Sequence, residues 1–136
     1  AKLELAGFFW FQGWNDMFDE QARSEYARNL VQLIDDFRET FRVPELPVVI
    51  GETGNMGTEA GQNMLAIRES QAKAAAEIKP QGSAVCVSTT EFARPKELSP
   101  NVGHGHHWFG NAESYFLIGD AMGRAMIPLL PSSRAK

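Results

Sequence analysis

Three short runs of consecutive apolar residues constrain the fold of this chain more than any other feature. They are residues 5–11 (L-A-G-F-F-W-F), 47–51 (P-V-V-I-G) and the stretch 84–90, which opens A-V-C-V. A strand with one face in water alternates apolar and polar residues, whereas a run apolar at successive positions has to be covered on both faces. Between the runs the period changes to that of a helix. Over residues 19–42, Tyr26, Leu30, Leu33, Ile34, Phe37 and Phe41 form one apolar stripe, with Arg28, Asp35, Arg38 and Glu39 on the opposite side. Residues 59–79 are rich in Ala and Glu, and place Met64, Ile67, Ala74 and Ile78 at helical spacing. Pro44 and Pro47 close the first helix; Pro80 and Gly82 close the second. A last helix is expected over 112–130, with Asn111 as its N-cap and Gly119 and Gly123 letting it lie close against a sheet. Strands alternating with amphipathic helices predict an α/β fold, a three-layer α-β-α sandwich around a parallel sheet with right-handed crossovers.

A chain of 136 residues fits one domain spanning 1–136, with neither a repeat nor an interdomain linker in view. Its 13 Lys+Arg against 17 Asp+Glu give a net charge of −4 without a basic cluster, which argues against nucleic acid as a partner. The longest apolar run is too short to cross a bilayer, so a membrane partner is not expected. Cys86, the single cysteine, has no internal partner and reads as a buried, inert thiol. No signal peptide is read at the front. The chain enters a strand almost at once, and three strands make a small sheet, so a piece of a longer protein is expected.

In open parallel sheets, ligands gather beyond the carboxyl ends of the strands. There lie Gln12, Gly13, Trp14, Asn15 and Asp16 after the first strand, and Glu52, Thr53, Gly54 and Asn55 after the second. The third strand is followed by residues 91–110, which hold His104, His106 and His107. Glycine permits a tight strand exit, and an amide just beyond it can donate to an oxyanion. The alternative is that Asn15 or Asp16 simply caps the helix. A loop histidine can serve as general base at neutral pH. The same histidines could instead bond to backbone, or hold a metal, although H-x-H-H lacks the helical zinc spacing. Glu52 reads as a loop anchor rather than an acid. Trp14 and Trp108 are placed where indole faces could stack on a sugar ring.

The segment W-F-Q-G-W-N-D (10–16) resembles the third conserved block of the SGNH hydrolases, in the branch of sialate O-acetylesterases and acetylxylan esterases. The segment G-H-H-W-F-G-N-A-E-S-Y-F-L-I-G-D-A-M-G (105–123) is similar to that branch's final block, in which a catalytic histidine precedes the last helix. The resemblance implies the last three βα units of a flavodoxin-like hydrolase fold. Asn15 would be the oxyanion-hole side chain, with Gly13 shaping its loop. His107, or alternatively His106, would be the catalytic histidine, Gln12 would support the site, and Trp14 and Trp108 would face substrate. The parent would hydrolyse O-acetyl esters of carbohydrates through a serine acyl-enzyme, with neither metal nor cofactor, in a secreted or periplasmic setting. Two family blocks are missing here: the G-Q-S-N-like nucleophile block and the glycine block that donates to the oxyanion. The aspartate that usually precedes the histidine by three residues is replaced by His104, leaving Glu91 as the nearest candidate acid.

This chain therefore reads as the C-terminal part of an acetylated-carbohydrate esterase, inactive alone; a non-catalytic carbohydrate-binding module is the alternative. The implied strand order, 2-1-3-4-5, leaves the first strand here as an uncharged aromatic edge. A homodimer through that edge, or through its aromatic face, is the expected assembly.

Overall fold

Every residue of β2 (Val48–Gly51) is buried. Its side chains alternate between two faces, so Val48 and Ile50 enter one core while Val49 enters another. The first core takes Tyr26, Leu30 and Ile34 from α1 (Glu20–Phe41), with Ile67, Ala74 and Ala75 from α2 (Gln62–Glu77) and Ile78 just beyond it. The second takes Ile118, Met122 and Met126 from α3 (Ala112–Met126), together with Trp108. The computed structural model describes residues 3–131. In it, β1 (Phe8–Trp10) and β3 (Ala84–Val87) flank β2 in a parallel sheet of order β1-β2-β3, with Phe9 beside Val49 and Val49 beside Val85. Two crossovers that step in the same direction across a sheet have to use the same face, so α1 and α2 lie together and α3 covers the other side. The chain is α/β around a parallel sheet.

The strands are shorter than the apolar runs that announce them. Only three residues of 5–11 pair: β1 leaves the ladder after Trp10, one residue before β2 ends at Gly51, and Leu5 lies 40% exposed outside it. Beyond Val87 the third run leaves the sheet, and the buried Thr89 turns back to bond the loop after β2. The second helix starts later than expected, at Gln62, after a short 3₁₀ turn over Gly57–Glu59. α3 is capped by Asn111, whose side chain accepts from the Ser114 amide at 3.2 Å. Gly119 and Gly123 do not bring α3 onto the sheet: a Cβ on either would meet nothing within 4 Å. The helix packs instead through Ser114, Ile118, Met122 and Met126, an i+4 row.

Two features of α1 also depart from its period. Leu33 and Phe41 are 40% and 53% exposed, since no further element covers that flank among the described residues. Arg38, expected to face away, is buried and donates to Leu46 O, to Lys79 O and, at 3.0 Å, to Ser83 Oγ. Cys86 is half-buried rather than buried because β3 is an edge strand. Partial burial, with a smaller contribution from Glu52, still pushes its thiol up to about 11, which keeps it protonated and inert at neutral pH.

Candidate active site

The exit from β1 is fixed from beneath by a buried polar network. The Gln12 carbonyl accepts from Tyr26 Oη at 2.6 Å and from Gln71 Nε2 at 2.8 Å. Gln71, fully buried on α2, accepts in turn from the Thr53 amide (2.9 Å) and hydroxyl (3.0 Å), so one side chain joins the loops after β1 and β2. Trp10 Nε1 donates to Tyr26 Oη at 3.0 Å; burial raises the phenol's pKa above its ordinary value. Gly13 follows at φ 154°, and a Cβ there would stand 2.8 Å from both Ile67 Cγ2 and Thr53 Oγ1. A side chain at this position would therefore separate the two loops that the network holds together.

Past Gly13 the chain makes the 3₁₀ turn Asn15–Phe18, and α1 begins only after Asp19, which accepts from the Ala22 amide at 2.8 Å. Neither Asn15 nor Asp16 is the cap. Asp16 accepts from Gln12 Nε2 at 2.5 Å. Asn15 is exposed, and among the described residues no hydrogen bond engages its amide.

The loop after β2 is equally pinned. Glu52 accepts from Thr90 Oγ1 at 2.5 Å and lies 3.6 Å from Arg68, so it anchors the loop, as its position suggests. Arg68 also donates to the carbonyls of Thr53, Asn55 and Gly57. Asn55, 2% exposed, donates through Nδ2 to Gly105 O (3.3 Å) and His106 O (3.1 Å).

Those two carbonyls belong to the histidine loop. Trp108, Phe109 and Gly110 have φ of 51°, 53° and 67°, a left-handed run that two non-glycine residues adopt only under constraint. The run turns the Trp108 indole down into the α3 core while His106 and His107 stay on the rim. Tyr115 Oη donates to His107 O at 3.0 Å. The imidazoles are close together: ring centroids lie 4.3 Å apart for His106 and His107, and 5.2 Å apart for His104 and His106. Partial desolvation, then repulsion from His107 and His104, lowers the pKa of His106.

A cleft of about 390 Å³ beyond the carboxyl ends of β1 and β2 is lined by Gln12, Gly13, Trp14, Asn15, His106 and His107, among others. Motifs separated by some ninety residues thus share one concavity, with Trp14 packed 5.8 Å from the His106 ring. Two expected members differ. Trp108 lines the cleft but is only 5% exposed, so its indole packs in the core and presents little open face to a sugar. Glu91 opens onto a neighbouring hollow with Glu59, Arg94 and Lys96, outside the histidine cleft. Phe11, Thr53, Asn55 and Tyr115 also line the cleft. Thr53 and Asn55 stand where their place after the second strand puts them; nothing in the sequence distinguishes Tyr115. Neither a serine nor a cysteine lines the cleft among the described residues. Nor do three His, Cys, Asp or Glu side chains among them converge as a metal site would require. Among the same residues no helix is long and apolar enough to cross a membrane.

An α/β sheet thus brings an amide and a histidine pair together at its carboxyl edge. The family of carbohydrate esterases described as sialic acid-specific acetylesterases matches residues 1–128, and the chain belongs to it. Neither a curated protein nor a solved structure matches the chain.

Proposed function

We propose that this chain supplies the C-terminal half-site of a serine esterase that removes O-acetyl groups from carbohydrate. It would be the last three βα units of a flavodoxin-like SGNH hydrolase domain, inactive until a nucleophile-bearing segment completes it. The observation that carries the reading is the shared cleft of Asn15 with His106 and His107, in a member of a carbohydrate esterase family. In the completed site, the serine Oγ adds to the acetyl carbonyl while His107 takes its proton. The tetrahedral oxyanion accepts from Asn15 Nδ2, whose freedom from structural bonds leaves it available. Collapse expels the sugar oxygen, which recovers the proton from His107; water then repeats the sequence on the acyl-serine. Gln12 holds the strand exit through its carbonyl, and Trp14 offers the apolar wall against which a pyranose ring can lie.

The test is hydrolysis of an aryl acetate and an acetylated sugar, by the 136-residue chain and by a chain extended upstream to include a G-Q-S-N-like block. The short chain is expected to show none and the extended one to turn over. Robust turnover by the short chain that survives His107→Ala would overturn the reading. An extended chain that binds sugar without cleaving it would favour the carbohydrate-binding module.

For the 136-residue chain on its own, without the strand that would cover β1 in the completed domain, we further propose a homodimer. β1 pairs only with β2 among the described residues, and Phe9 and Phe11 beside that edge are 51% and 37% exposed. Unmade backbone hydrogen bonds next to exposed aromatic area favour pairing with a second copy, and a two-fold antiparallel contact closes on itself. Sedimentation at low micromolar concentration should give a dimer for the wild type and a monomer for Phe9→Lys; a monodisperse wild-type monomer would end this part of the proposal.

A further inference from the structure

Asn55 stands out because its side chain is nine-tenths buried and only half satisfied. Nδ2 faces two carbonyl oxygens, Gly105 O and His106 O, so the amide cannot be flipped without setting oxygen against oxygen. Oδ1 is left buried with no donor. A buried acceptor without a partner is costly, and such groups in native proteins call for a reason. The reason lies in what the amide holds. The carbonyls of 105, 106 and 107 are all occupied by side chains from other elements, the first two by Asn55 and the third by Tyr115. Asn55 itself is fixed by Arg68, whose Nη2 donates to the Asn55 carbonyl at 2.9 Å. The left-handed backbone at Trp108 and Phe109 lies immediately beyond and would relax without such ties.

We infer that Asn55 is the positioning residue for the histidine pair: it hangs the His106–His107 segment over the cleft from the loop after β2, and so sets where the imidazoles stand relative to Asn15. The inference rests on the esterase reading for its purpose but not for its test, which needs no turnover. Serine or alanine at position 55 cannot span to both carbonyls. Aspartate keeps the shape but turns an oxygen toward them.

The experiment follows the histidine ring resonances through a pH titration in the 136-residue chain, with amide exchange on the same samples. In the wild type the His106 midpoint should lie below that of a free histidine, because its ring is held partly desolvated against His107 and His104. In Asn55→Ala the freed ring hydrates and the midpoint rises toward the ordinary value. Exchange of the His107 and Phe109 amides, both bonded to His104 O, should quicken about tenfold, the consequence of losing two hydrogen bonds. Asn55→Asp should do the same, since isosteric shape without the donors does not hold the loop. Unchanged midpoints and exchange in both variants would overturn the inference. If neither variant folds, the wild type still decides: the Asn55 side-chain NH₂ should exchange slowly with solvent, and exchange as fast as that of an exposed asparagine would refute it. Failure of the extended chain to hydrolyse esters would leave this result standing, and the reverse holds too.

Discussion

In the chain extended to a nucleophile block, His107→Ala should lower kcat by about 10⁴-fold or more, and Asn15→Ala by about 10²–10³-fold. The two losses differ because they remove different things. Without the histidine, the serine keeps its proton and the leaving oxygen receives none, so both halves of the reaction slow. Without Asn15, one donor to the developing oxyanion is lost while proton transfer survives. The substrate carbonyl carries little negative charge before attack, so Asn15→Ala should act mainly on kcat and leave KM nearly unchanged. Loss of the histidine leaves a residual rate that still depends on the oxyanion donors. Asn15→Ala should therefore slow the His107→Ala background further rather than leave it untouched. Glu91→Gln offers the internal control: its side chain opens onto a separate hollow, and the variant should stay within a few-fold of wild type. Both His106 and His107 line the cleft, so each is replaced in turn. Alanine variants of both that retain wild-type turnover would remove the histidines from the mechanism altogether.

The parts of the fold that were legible in the sequence are those set by apolar coverage. Val48, Val49 and Ile50 demand cover on both faces, and the structure provides α1 and α2 on one side and α3 on the other. The extents of the elements were less legible, because an apolar run does not show where the chain leaves the ladder. Phe11 belongs to the same run as Trp10 but turns away into the loop, although Gly51 of β2 stands at the next register position. Helical period alone also misplaced Arg38. A long side chain one turn from Ile34 can reach inward as easily as outward, and carbonyls left free by Leu46 and Lys79 draw it in.

At the site, residue order along the chain was enough to place Gly13, Asn15, His106 and His107 at one edge, since each follows a strand. What could not be read were orientations that depend on backbone conformation. The left-handed run at Trp108 and Phe109 limits the expectation for Trp108: the residue lines the cleft while most of its ring lies in the core. Asn55 was placed at the same edge, but its partners could not be read: they are carbonyls fifty residues away.

Arg38→Met should lower the unfolding free energy by about 2 kcal/mol, without altering the cleft. The guanidinium joins α1 to Leu46 ahead of β2, and to Lys79 and Ser83 ahead of β3, so it ties the amino ends of two strands to one helix. Methionine fills similar volume but leaves the buried Leu46 carbonyl without this donor, a loss of about 1–3 kcal/mol, whereas the exposed Lys79 and half-buried Ser83 can turn to water. Relief of the desolvation that burial imposes on the charge, seen in its lowered pKa, offsets part of that loss. The acceptors are neutral carbonyls and a hydroxyl rather than a carboxylate, so no buried counter-charge is stranded, and the net falls near the middle of the range. For a chain of 136 residues this corresponds to a Tm lower by about 7 °C. Arg38→Lys should recover little of it, because a single ammonium cannot fork between Leu46 O and Lys79 O. The histidine resonances should not move in either variant, since the cleft lies at the carboxyl ends of the strands and Arg38 at the opposite edge. A Tm for Arg38→Met within about 2 °C of wild type would show that the buried fork contributes nothing net to stability.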